Sequence, residues 1–177
     1  YNLEKGKLLD KEFIDKIIRE EEQNRANSYA LKLLYYRSRS EKEIREKMNL
    51  KGYDAEVISK TIKYLKEFSY INDKEFAKEF TKIKSNKFGR NRIKMELSNK
   101  GINEEIINDV IDTLIDDDSE YEKAFELAMK KMKLYKDDDK NAIYRKLGSY
   151  LQRKGFSFDI ISKILRKILK DIDWEII

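Results

Sequence analysis

The chain contains no proline, no cysteine and no histidine. Each absence removes a class of chemistry. Without cysteine there are no disulfides, no thiol redox centre and no thiolate metal site, which suits a reducing cytoplasm. Without histidine the commonest general base and metal ligand is missing. Without proline nothing breaks a helix interior, so the composition fits helices joined by tight turns. No apolar run reaches the length of a membrane span, and no signal-peptide pattern is visible. The phosphate-cradling glycine loop, the dinucleotide-binding glycine motif, the zinc-protease motif and the serine-hydrolase elbow are all missing. The carboxylates, lysines and tyrosines form no recognisable catalytic cluster. The expectation is a binding protein in the cytoplasm, not an enzyme, with no cofactor, no metal and no membrane attachment. The first residue is Tyr1 rather than Met, so the chain is expected to be a fragment or a trimmed form.

What the chain has in abundance is charge, at 41% of residues, and that charge is segregated. Residues 82–100 carry seven bases and one acid, while residues 101–120 carry eight acids and no base. A basic block beside an acidic one points to a polar partner surface of both signs, or to charges that offset each other within the fold.

An internal repeat organises the rest. Lys-Gly occurs at Lys51-Gly52, Lys100-Gly101 and Lys154-Gly155. Aligned on the glycines, Ile44, Ile93 and Leu147 stand together, as do Met48, Leu97 and Leu151. Tyr53, Ile102 and Phe156 follow each Gly, and then come Asp54, Asn103 and Ser157. Apolar positions separated by four residues share a helix face. The Gly then ends that helix in a left-handed conformation. Asp, Asn and Ser are strong N-caps, so a new helix starts there. Val57/Ile58, Ile106/Ile107 and Ile160/Ile161 open its apolar stripe, which continues through Ile62, Ile111 and Leu165.

Each Lys-Gly pair is preceded by a further helical pattern. It runs through Ala26, Ala30 and Leu33 in the first copy, Phe76, Ala77, Phe80 and Ile83 in the second, and Tyr121, Ala124, Phe125, Ala128 and Met132 in the third. Ser40 with Glu43 reads as a capping box.

The expected fold is therefore all-α. It consists of three tandem three-helix, helix-turn-helix-like repeats in an elongated curved molecule. The segments are 1–24 (a leading segment with one more helix over 10–22), 25–72, 73–118 and 119–177. Each unit of roughly 50 residues has a small core and gains from its neighbours.

Several stretches resemble the bacterial RecX regulatory proteins. Arg37-Ser38-Arg39-Ser40-x-x-Glu43 is similar to the family's R-x-R-S-x-x-E. Tyr70 to Ala77 resembles its aromatic-led stretch ending in Phe-Ala. Lys87-Phe88-Gly89 through Lys100-Gly101-Ile102 resembles its K-G-x-x-x-I-x-x-E-L-x-x-K-G-I, with Phe88 where Gly is common. Tyr150-Leu151-x-x-Lys154-Gly155-Phe156 fits as well. The resemblance covers about residues 8–170. A short β-rich segment that often precedes the repeats in the family is not recognisable here.

The resemblance implies a modulator of the RecA recombinase that sits in the groove of the RecA–DNA filament and opposes filament growth, ATP hydrolysis and strand exchange. That places it in homologous recombination, DNA repair and the SOS response. The implied partners are the RecA filament and, more weakly, single- and double-stranded DNA, with the protein itself a monomer.

The candidate contacts are basic and cluster around the second helix of each unit: Lys42 and Arg45 in the first; Lys87, Arg90, Arg92, Lys94 and Lys100 in the second; Arg145, Lys146, Arg153 and Lys154 in the third. Arg37 and Arg39 add to them. Arginine can fork onto phosphate or carboxylate, and a basic row can follow a nucleic-acid backbone. The second unit's cluster exceeds its local background; in the other two a solvated face explains the charge equally well. Arg37 is also suited to the carboxyl end of the preceding helix.

A direct nucleic-acid-binding regulator is the alternative. Against it, the third helix of units one and two, where a groove reader would sit, is rich in acids. Asp116-Asp117-Asp118 and Asp137-Asp138-Asp139 lack the Gly and closing Glu of a calcium loop and are read as loops or caps. Of Tyr35, Tyr36, Tyr64, Phe68, Tyr70 and Phe88, most are expected to pack, with Phe88 the one expected to be exposed. Trp174 is expected to pack the last helix down.

Overall fold

A computed structural model describes residues 10–135 and 139–174, with side chains through Lys170. Asp137, Asp138 and the Trp174 side chain lie outside the described residues. Among these residues all regular structure is α-helical. The helices are α1 (Lys11–Tyr36), α2 (Glu41–Leu50), α3 (Ala55–Glu67), α4 (Asp73–Lys84), α5 (Arg90–Asn99), α6 (Glu104–Leu114), α7 (Asp117–Met132), α8 (Lys140–Lys154) and α9 (Phe158–Trp174). They group as three successive three-helix modules. The chain divides into two compact units, which meet in sequence at Asp73 and Lys74. The first holds one module; the second holds two.

The three Lys-Gly turns are built alike. Gly52, Gly101 and Gly155 have φ of 92°, 79° and 87°. The residue after each glycine donates its N–H back to the carbonyl five positions earlier: Tyr53 to Met48 at 3.2 Å, Ile102 to Leu97 at 3.2 Å and Phe156 to Leu151 at 3.3 Å. This six-to-one bond closes a Schellman motif, and its apolar partners pack where the chain reverses. Of the three expected N-caps that follow, Asn103 accepts the Glu105 N–H at 2.8 Å and Ser157 the Ile160 N–H at 3.3 Å. Asp54 makes no side-chain cap bond.

In the first unit the leading helix and the first helix of the module are one 26-residue helix. The sequence reading of a separate helix over 10–22 is corrected here. No Gly or Pro interrupts residues 22–26, Asn24 sits within the helix rather than capping a new one, and i,i+4 pairs such as Arg25–Glu21 (3.0 Å) carry the helix through. The apolar residues of its early turns are only partly covered: Phe13 and Ile14 are 40% exposed and Ile18 58%. The core beneath the module is Ala26, Ala30, Ile44, Met48, Ile58, Ile62, Leu65 and Ile71. Buried Thr61 is satisfied by Gln23 (2.8 Å) and Asn27 (2.9 Å), so its hydroxyl costs little. The capping box is present, with Ser40 accepting the Glu43 N–H and the Glu43 carboxylate accepting the Ser40 N–H.

The second unit contains two cores. Phe76, Ala77, Ile93, Leu97, Ile102, Ile107, Val110, Ile111 and Ile115 fill the one under α4–α6. Ala124, Ala128, Leu147, Leu151, Phe156, Ile160, Ile164 and Ile168 lead the one under α7–α9. Ile83, expected on the buried stripe of α4, is 71% exposed because the helix ends one residue later and leaves its last turn uncovered. The aspartate runs serve as caps where they are described. Asp116 accepts the Ser119 N–H and Asp139 the Ala142 N–H, both at 2.8 Å.

Candidate functional site

The cations expected to meet a partner have different fates. In the first module most are spent locally. Arg37 pairs with Glu43 at 3.1 Å and also donates to the Ser38 carbonyl. Arg39, rather than Arg37, reaches the carboxyl end of α1, donating from Nε to the Leu33 carbonyl at 3.1 Å. Arg45 and Lys66 converge on Glu41 at 2.7 and 2.6 Å, and Lys42 lies 3.9 Å from Glu46. Burial opposes ionisation of Glu41, but Lys66 and Arg45 outweigh it and hold the carboxyl below its ordinary range.

In the second module the cluster that stands out most in the sequence is largely internal structure. The start of α5 is pressed against the end of α8. Gly89 donates its N–H to the Lys154 carbonyl at 2.9 Å and Asn91 to the Gly155 carbonyl at 3.1 Å. Between them the Arg90 N–H is taken by the Glu120 carboxylate at 2.8 Å. The first N–H groups of a helix and its last carbonyls have no partners within the helix. Here each helix end satisfies the other, with their dipoles head to tail.

The approach demands glycine on both sides. A Cβ on Gly89 would lie 2.5 Å from the Gly155 oxygen, and one on Gly155 would lie 2.4 Å from the Arg92 Cβ. Arg90 completes the joint. Its Nε meets Glu120 at 2.6 Å, and its far nitrogen meets Asp117. Glu120 is 3% exposed, so this is a buried ion pair. Burial works against the Arg90 charge, but Glu120 and Asp117 more than compensate and raise its pKa.

Arg92 is used three ways: on Glu96 at 3.0 Å, on the Arg153 carbonyl at 3.1 Å, and over the Phe88 ring at 4.3 Å. Lys94 donates to Asn108 at 2.8 Å, and Lys100 lies over the Phe76 and Phe80 rings. Lys87 alone of this cluster is exposed with no ion-pair partner among the described residues. Phe88 is half-buried beneath Lys84, Arg92 and Lys154, which overturns its expected exposure. Of the aromatics weighed in the sequence, the exposed ones are instead Tyr35 (87%), Tyr36 (70%), Phe68 and Tyr70, which were expected to pack.

The third module reverses the expected ranking. Helix α8 contains Lys140, Arg145, Lys146, Arg153 and Lys154 and not one acid. Lys154 and Lys146 lie over aromatic rings, of Phe88 at 4.8 Å and Tyr135 at 5.6 Å. Arg145 and Arg153 are exposed and have no ion-pair partner among the described residues. Together with Lys146, Ser149 and Tyr135 they line one shallow depression of about 420 Å³. Its lining holds three cations and no carboxylate. This basic surface was visible in the sequence as a fifteen-residue helix without Asp or Glu, a signal masked by the higher charge density of residues 82–100. No group of three or more metal-binding side chains forms among the described residues.

Family models for the first, second and third three-helix domains of RecX match residues 26–65, 72–111 and 118–165. The chain belongs to the RecX family. Among its relatives, "Regulatory protein RecX" of Clostridioides difficile is 37% identical, over 99% of this chain and 83% of that protein. The protein of the same name from Clostridium perfringens is 33% identical, over 94% and 79%. The crystal structure of RecX from Lactobacillus salivarius aligns with a TM-score of 0.75 and 31% identity, covering 84% of this chain and 97% of that one. A second crystal structure of a regulatory protein RecX aligns at 0.81 and 28%, covering 92% and 82%. These relatives are named as regulatory proteins, not as enzymes. No described helix is long and apolar enough to cross a membrane.

Proposed function

We propose that this RecX-family chain regulates the RecA recombinase by binding the groove of the RecA–DNA filament, opposing filament growth, ATP hydrolysis and strand exchange, and that the acid-free face of α8 is its main charged contact. The observation that carries this reading is the pair of exposed arginines, Arg145 and Arg153, without an ion-pair partner among the described residues and on a helix with no carboxylate. Guanidinium groups suit both phosphate and carboxylate, the two anions a nucleoprotein filament displays. Surface contacts of this kind are individually weak and screened by salt. A filament repeats its surface at every protomer, so modules held on one chain raise each other's effective concentration there. Binding to filaments is therefore expected to exceed binding to free RecA or to naked DNA. The protein acts as a monomer in this reading.

The test is a titration of RecA ATP hydrolysis on single-stranded DNA. Substoichiometric intact chain should slow hydrolysis, and the double substitution Arg145→Glu with Arg153→Glu should raise the concentration needed by at least about tenfold. The same double change at Lys87 and Lys94 should have a smaller effect. Direct nucleic-acid regulation is favoured by the same acid-free helix. It predicts a salt slope on naked duplex that falls by about one unit for each phosphate contact removed. Tight duplex binding with that slope, and no inhibition of RecA, would replace the filament reading. Deleting the third module is not a clean alternative, because a cut near residue 118 removes Glu120 and the carbonyls that cap α5.

A further inference from the structure

A second depression adjoins the first across Arg145 and Ser149, in the crease between α8 and α9 of the second unit, with a volume of about 620 Å³. That is within the roughly 300–1,000 Å³ usual for ligand clefts. It is distinct from the depression around Tyr135, which collects Lys146 and Arg153.

The crease exists because α8 carries Gly148 where the two helices cross. A Cβ there would rest 3.4 Å from the Leu165 side chain, so the missing side chain leaves room above Leu165 and Ile161. Tyr144 and Phe158 also line it, and both are exposed, Phe158 to 79% although it opens α9. Arg145 is the sole charged residue among those lining it; no Asp or Glu does so. Ser149, Gln152 and Ser162 supply polar groups to the walls.

We propose that this crease seats an acidic segment of a partner protein anchored by apolar side chains. The proposal rests on the RecA reading above and assigns the segment to the recombinase. Complementarity sets the chemistry. The floor is aliphatic and takes apolar anchors. Among the described residues the rim offers one guanidinium without an ion-pair partner and no carboxylate, so the ligand carries negative charge beside its anchors. The lining runs from Tyr144 to Gln152, about 12 Å along α8 at 1.5 Å per residue, enough for two anchors one helical turn apart. A nucleic-acid strand would instead call for cations along its phosphates and a platform for each base. Lys146 and Arg153 line the neighbouring depression and Lys154 lies over the Phe88 and Tyr150 rings, so the crease lining holds one positive charge and an apolar floor.

The experiment uses the full chain and RecA filaments on single-stranded DNA. Affinity is read by co-sedimentation for the unaltered chain, for Gly148→Leu, which fills the crease, for Phe158→Ser, and for Lys63→Glu as a charge control in the first unit. A photo-cross-linking residue at position 158 reports the neighbour by mass spectrometry. Gly148→Leu and Phe158→Ser should each weaken binding by about tenfold while Lys63→Glu does not. The cross-link should fall on a RecA segment with net negative charge and apolar side chains. Circular dichroism melting separates lost binding from lost folding for Gly148→Leu, and Phe158→Ser changes only an exposed position. Unchanged affinity in both crease variants, with the unaltered chain binding filaments, overturns the crease and leaves the regulatory reading intact. A cross-link to DNA overturns it in favour of a base-stacking site. No binding by the unaltered chain overturns the regulatory reading itself.

Discussion

The two compact units use the same turn for different ends. Gly52 in the first and Gly155 in the second share a left-handed φ, the same back-bonded carbonyl and the same preceding lysine. An added Cβ at Gly52 would meet nothing within 4 Å, whereas at Gly155 it would strike Arg92. In the first unit the turn only reverses the chain. In the second it is also a docking surface, on which another module's helix begins. The difference extends to charge. The first unit pairs Arg37 and Arg45 within one module, while the second spends Arg90 and Arg92 across a module boundary and, among the described residues, leaves the arginines of α8 without ion-pair partners. A repeat in sequence is thus not a repeat in role: once two copies share a joint, the residues forming it are withdrawn from the surface.

The largest expected effect breaks that joint. Glu120→Ala leaves the Arg90 guanidinium and N–H without their buried acceptor, and losing one partner of a buried pair costs about 3 kcal/mol or more. Urea unfolding followed by amide exchange should show the loss in α5 and α7 with α2 unchanged. An equal loss in α2 would mean that the joint is not confined to the second unit.

Next, Gly155→Ala should cost about 2–4 kcal/mol, combining an unfavourable φ with backbone overlap, against about 1 kcal/mol for Gly52→Ala, where φ acts alone. Equal costs in thermal unfolding would remove the contrast between the two turns.

The smallest effect concerns acid. Burial opposes the Glu96 charge, but Lys84 and Arg92 overcome it and depress its pKa, as Lys66 and Arg45 do for Glu41. A depressed carboxyl contributes stability that is present above its unfolded pKa and lost as pH falls through the folded value. Asp73 behaves oppositely: burial raises its pKa, with the Glu41 charge adding to that, although the Glu41 N–H works against it. Its contribution is full below the unfolded pKa and lost as pH rises through the folded one. The first unit therefore carries opposing terms and the second does not. On acidification from about pH 6 to about pH 4, amide protection should fall more at Leu97 than at Met48. A larger fall at Met48 would reverse the assignment.

Much of this was legible from the chain alone. Three aligned glycines gave the turns, and four-residue spacing gave the faces that bury Met48, Leu97 and Leu151 completely. The joint was half legible. Glu120 stands four residues before Ala124 and eight before Ala128, on the buried face of α7, where an acid requires a partner. Nothing in the sequence names Arg90, thirty residues earlier, as that partner. The charge count for residues 82–100 was correct as composition but overstated as surface, because four of its seven cations — Lys84, Arg90, Arg92 and Lys94 — bond to side chains in the fold.

The sequence by itself determined the three Lys-Gly turns and most of the helices and core positions. Those depend on bonds and contacts spanning three to five residues, and such spacings are written directly in the order of side chains. Tertiary structure alone decided which charges were consumed. Whether a cation meets a carboxylate, a carbonyl or solvent depends on distance in space and on local burial, and the packing of α5 against the end of α8 set both.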